Sequence, residues 1–219
     1  MPHIRTHNLT NKPPAPVAVV TQLANKAQRK PEKVKDLLDA LESEKARVKF
    51  GALKALRLLS EREPELIYPH FDFFVGLLRS ENSILRWNAM LILGDLAQVD
   101  HGGRMERIID NYLEPISGPH LIDAANTMRG AAVIAKAKPH LADKIARAIL
   151  KVERATFDTP ECRNVAIGHA ISCLDRLVPM ISDARAVQLF VTRQLDNGRP
   201  ATRRKAERFL RKGSLRQSA

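Results

Sequence analysis

The chain has 219 residues, a formal net charge of +12 and 5% aromatic side chains, with Ala and Leu abundant. This composition suits packed helices better than a β-sandwich, and no run approaches the roughly eighteen apolar residues of a membrane span. Basic residues outnumber acidic ones 12 to 5 over 1–60, 9 to 6 over 121–180 and 10 to 3 over 181–219, but are outnumbered 5 to 10 over 61–120. Basic ends around an acidic centre suit a protein that attracts acidic partners, nucleic acid or an anionic surface, or one that simply keeps a solvated charge.

Residues 1–15 are polar and include the run Asn11-Lys12-Pro13-Pro14-Ala15. The segment reads as a disordered, proline-containing terminus that could fold back into a groove. Met1-Pro2-His3-Ile4-Arg5 has no apolar core of a secretory signal, so cytoplasmic residence is expected. A helix then runs to about Arg29 with Val17, Val20, Leu23 and Ala24 on one face and polar residues elsewhere, the pattern of a cap. From Pro31 the helices come in pairs. First helices are predicted at 32–43, 64–80, 103–116, 139–154 and 180–195, and second helices at 45–61, 83–98, 120–136, 160–177 and 200–212. Pro31, Pro64, Pro139 and Pro179 stand where first helices should begin, and Pro160 and Pro200 where second helices should, because proline at the first helical position forfeits no hydrogen bond. The organisation expected is one helical domain over 16–212 with a flexible tail over 213–219.

The second helices repeat. Val48-Lys49-Phe50-Gly51-Ala52 returns as Leu85-Arg86-Trp87-Asn88-Ala89, then at Leu121, at Cys162 and, degraded, at Thr202, in steps of 37, 36, 41 and 40 residues. Such spacing marks stacked two-helix units. Leu85, Asn88, Ala89, Ile92, Leu93 and Leu96 form the clearest apolar stripe, matched by Cys162, Val165, Ala166, His169, Ala170 and Cys173. The third copy is weakest, because Arg129 falls where an apolar residue should stand.

Leu77-Leu78-Arg79-Ser80 followed by Leu85-Arg86-Trp87-Asn88-Ala89, with Ala40-Leu41-Glu42-Ser43 and Val48-Lys49 before it, resembles the HEAT-repeat pattern over residues 31–212. The chain departs from that pattern in the turn, where Ser43 and Ser80 replace the usual aspartate. The resemblance implies an all-α, right-handed α-solenoid of about five HEAT-like two-helix repeats with an N-terminal capping helix, and a binding surface rather than a set chemistry.

In that architecture the second helices line the concave face. The register then gives a groove of Phe50, Lys54 and Arg57, next Trp87, Leu91 and Gly94, next Asp123, Thr127 and Gly130, next Asn164, Gly168 and Ile171, and finally Arg204, Arg208 and Arg211. Phe50, Lys54, Arg57, Trp87 and Leu91 are the candidate residues for holding a protein partner, with Phe50 and Trp87 as anchors, against a structural reading in which both rings only fill space. Tight helix packing accounts for the helical glycines, and contacts between repeats for Arg86 and Arg163. The alternative is nucleic-acid binding by a C-terminal helix whose Arg199, Arg203, Arg204, Lys205, Arg208, Arg211 and Lys212 place seven cations in fourteen residues. Phe209 there is spaced as a core residue, so base stacking has no support.

Enzyme signals are poor. Cys162 and Cys173 sit eleven residues apart on one helix, too far for a disulfide, and read as buried, reduced hydrophobes. No metal motif or phosphate loop is present, and no cofactor is expected. His169 reads as a hydrogen-bonded core residue. A distant third reading places Trp87 and Asp123 in the cleft of a HEAT-like alkylpurine DNA glycosylase, against which the acidic centre argues.

Overall fold

The computed structural model describes residues 17–217, with side chains over 17–212. The expected disorder of 1–15 lies outside the described residues. Among these residues every regular element is helical, and no helix is long and apolar enough to cross a membrane. They fall into two compact units that divide between Leu66 and Ile67, inside the span that the sequence reading takes as one domain.

In the first unit, α1 (Val17–Arg29) and α2 (Lys33–Asp39, closed by a 3₁₀ turn at Ala40–Glu42) pack on α3 (Ala46–Arg62). The buried face of α1 is Val20, Ala24 and Ala27, whereas Val17, expected on it, is 82% exposed. Gln28 Nε2 ties α1 to the end of α3 by donating to Glu63 Oε1 at 2.6 Å. Ala52, Leu53, Leu56 and Leu59 give α3 its apolar stripe. The short α4 (Pro64–Ile67) follows.

The second unit holds α5 (Phe71–Leu77), α6 (Ser83–Leu96), α7 (Arg104–Leu113), α8 (Leu121–Ala137), α9 (Ala142–Leu150), α10 (Pro160–Leu177), α11 (Ala184–Arg193) and α12 (Pro200–Gln217). The last helix runs on past the expected end at 212. Caps set the starts. Asn82 Oδ1 accepts from the amides of Ile84 and Leu85, Thr159 Oγ1 from Cys162 and Asp183 Oδ1 from Ala186. Pro179 does not open α11 as predicted. It lies in a 3₁₀ turn at Val178–Met180 that closes α10, and extended Ile181 separates it from the Asp183 cap.

The second helices pack on one another in chain order, α6 on α8, α8 on α10 and α10 on α12. Long-range side-chain bonds run at one repeat spacing: 37 residues from Arg86 to Asp123, 39 from Ser182 to Asp143, 40 from Arg193 to Glu153 and 37 from Lys212 to Asp175. The stripe of α6 is buried as predicted apart from half-buried Asn88. That of α10 is not: His169 is exposed and Cys162 half-buried, while Ile167, Ile171 and Leu174 join Ala166, Ala170 and Cys173 in the core. In α8 Met128 is buried and Arg129 exposed, because the helix is turned by one residue from the repeat register. Burial pushes the Cys173 thiol up to about 11.

Candidate functional site

On α3, Phe50, Lys54 and Arg57 share one face at i, i+4 and i+7. Phe50 is half-buried and Lys54 exposed. Arg57 is committed within its own helix, donating to Ser60 Oγ at 3.1 Å and pairing with Glu61 at 2.8 Å. Phe50 belongs to the first unit and Trp87 to the second.

Trp87 is half-buried on α6, and its Nε1–H donates to Asp123 Oδ1 of α8 at 2.5 Å. Arg86 grips the same carboxylate through Nε at 3.0 Å and a terminal nitrogen at 3.3 Å, and donates to the Ser80 carbonyl at 2.6 Å. Arg86 is therefore a tie between neighbouring second helices, as its register suggests. Both oxygens of buried Asp123 thus accept from this pair of side chains. Beside this clamp, half-buried Leu91 and 39%-exposed Ile84 continue the face of Trp87 along α6. Asp123→Ala should free both the indole N–H and the guanidinium, lowering stability by about 2–3 kcal/mol. Chemical denaturation followed by the fluorescence of the single tryptophan measures it.

The small polar middle of the expected groove is closed. Thr127 is fully buried and donates to Met90 Sδ at 3.4 Å. Gly94 and Gly130 face each other where α6 crosses α8: a Cβ on Gly94 would meet the Gly130 Cα at 3.0 Å. Gly168 and Ile171 are also buried. The physical reason is rotation: on α8 and α10 the open faces carry Ile122, Asn126 and Arg129, and Val165, His169, Ser172 and Arg176.

The seven C-terminal cations divide by use. Arg199 pairs with Glu161, and Lys212 with Asp175 at 2.7 Å. Arg203 donates to the Asn197 carbonyl at 2.7 Å, bracing the turn before its own helix. Half-buried Lys205 donates to the Gly168 carbonyl at 2.7 Å. Arg211 is exposed and has an interaction of its own. Arg204 and Arg208 are exposed on α12. Helix-to-helix ties thus account for much of what the sequence presents as one basic cluster.

No family model matches the chain, and no curated protein matches it.

Sequence reasoning missed a buried polar knot. Asp100, whose side chain has no exposed surface, accepts from the Tyr68 hydroxyl at 2.6 Å and from the amides of Arg104 at 3.0 Å and Met105 at 2.8 Å. It thereby caps α7. Lys138 at the end of α8 pairs with it at 3.1 Å and donates to its carbonyl and to Glu106 Oε1, both at 2.8 Å. His140 Nε2 contacts the same Glu106 oxygen at 2.9 Å. Arg104 lies over the Tyr68 and Phe71 rings. Burial alone would raise the Asp100 carboxyl, but the Tyr68 hydroxyl, the two amides and the Lys138 ammonium hold it at about 2. The available signal was Asp100 just ahead of the Gly102-Gly103 pair that opens α7, with Gly103 at φ 67.

Proposed function

We propose that the chain is a non-catalytic binding scaffold that holds a protein partner on the exposed side of its second helices. In this reading it is a HEAT-like α-solenoid of about five two-helix repeats, with α1 as cap. Support for the stacking comes from second helices packed in chain order and from polar ties one repeat apart.

The observation that carries the binding function is the Trp87 clamp. A half-exposed indole held by Asp123, which Arg86 holds in turn, loses little freedom when a partner covers it. Leu91 and Ile84 extend it into an apolar strip, and aromatic anchors of this kind dominate interface energies. On the first unit, Phe50 with Lys54 offers a second, separate patch. Asp123 belongs to the clamp, so a glycosylase role for it is not proposed.

A photo-cross-linking amino acid at Leu91 in cells tests this. The expected result is a discrete cross-linked protein that Trp87→Ala abolishes while circular dichroism shows the variant still folded at the assay temperature. Absence of a cross-linked protein, or one indifferent to Trp87→Ala, would overturn it. Nucleic-acid binding by α12 stays the second reading, favoured by exposed Arg204 and Arg208. It requires a steep salt slope that is lost on deleting 199–219.

A further inference from the structure

Between α10 and α12 lies a cleft of about 220 Å³. Its apolar lining is buried Ile171 and half-buried Phe209. Around these stand Arg176, Lys205, Arg208 and Lys212, four cations against the single carboxylate of Asp175. Lys212 and Asp175 neutralise one another. Lys205 donates to a backbone carbonyl, which accepts the hydrogen bond without cancelling the charge. Arg176 and Arg208 have neither a hydrogen-bond nor an ion-pair partner among the described residues. The crowding is felt locally: burial holds the Lys205 ammonium below its ordinary value, and Arg199 and Arg208 push it the same way.

We infer that this cleft binds a short acidic segment of a partner protein, one apolar side chain entering against Ile171 and Phe209 while flanking carboxylates meet Arg176, Lys205 and Arg208. The inference rests on reading the chain as a protein-binding scaffold. A peptide fits the cleft better than a nucleic acid does, because the apolar lining lies inside a cleft rather than on an open platform for base stacking. Arginines without partners keep their donors available for bidentate bonds to carboxylates.

The test uses the full chain and three fluorescent probes: a short Asp/Glu-rich peptide with one Phe, the same peptide with Ser for Phe, and a thymidine oligonucleotide. The Phe peptide should bind, and the other two should bind at least about tenfold more weakly. Arg176→Glu combined with Arg208→Glu should remove that binding, and Arg176→Lys with Arg208→Lys, which keeps the charge but loses the bidentate fork, should weaken it only partly, circular dichroism and Tm showing both variants folded. Oligonucleotide binding as tight as that of the Phe peptide would make the site a phosphate site and overturn the inference. Equal binding of the Ser peptide, or no peptide binding, would overturn it as well. The cross-link at Leu91 reports a different surface, so a surviving cross-link without peptide binding removes the cleft alone, and loss of the cross-link removes the scaffold reading.

Discussion

Replacing Asp100 with alanine is expected to destabilise the second unit by about 3–5 kcal/mol, seen as a lower urea midpoint. The change uncaps α7, leaves the Tyr68 hydroxyl unpaired and strands the Lys138 ammonium with Glu106 as its one carboxylate. Lys138→Met should cost less, because Asp100 keeps its hydroxyl and two amide donors while the methionine fills the space of the lysine stem. A larger loss for Lys138→Met than for Asp100→Ala would show that the ammonium, not the cap, organises the knot. The pH dependence has a definite sign. The Asp100 carboxyl is depressed from 3.8 to about 2, so its contribution is complete above pH 4 and is lost as pH falls from there through 2. The wild-type chain should lose about 2 kcal/mol more over that window than Asp100→Asn does.

Gly130→Ala should cost about 3 kcal/mol or more by overpacking, well beyond the roughly 1 kcal/mol that alanine returns as a helix former. The added methyl would collide with the Tyr112 hydroxyl and stand 2.7 Å from the Met90 carbonyl. That hydroxyl is itself engaged, donating to the Met90 carbonyl at 2.7 Å, so it cannot swing aside without giving up that buried bond. Tyr112→Phe added to Gly130→Ala should recover part of the loss, because the ring edge yields while the Met90 backbone does not. Thermal denaturation of the two single variants and the double variant gives the coupling. Strict additivity would place the strain in the backbone contact alone.

Helix positions were legible because polar turns and apolar stripes agree at each pair, with proline starts at four of the five, and the helices lie close to the predicted spans. The exceptions are local. Pro179 could as well end one helix as open the next, and the side chain of Asp183 decided it. The register of α8 and α10 was not legible to better than one residue, which is about 100° of rotation. That sufficed to send Asp123, Thr127 and Gly168 inward and His169 outward. The tie from Arg86 could be read from its recurring position, but its acceptor Asp123 could not, since nothing in the sequence says which carboxylate 37 residues on will face it. The Asp100 knot was hidden for the same reason: its members come from three turns 32 and 38 residues apart.

The near-constant separation of the polar ties has a consequence for synthesis. The ties described above in the second unit reach at most 41 residues along the chain, so each helix pair meets these partners once about one further repeat has left the ribosome. No bond among them waits for the C-terminus. Loops of this length close at nearly equal entropic cost, and contacts of such low order favour rapid folding. Residues 67–212 can therefore assemble vectorially, with exposed apolar surface at any moment limited to the face of the newest pair.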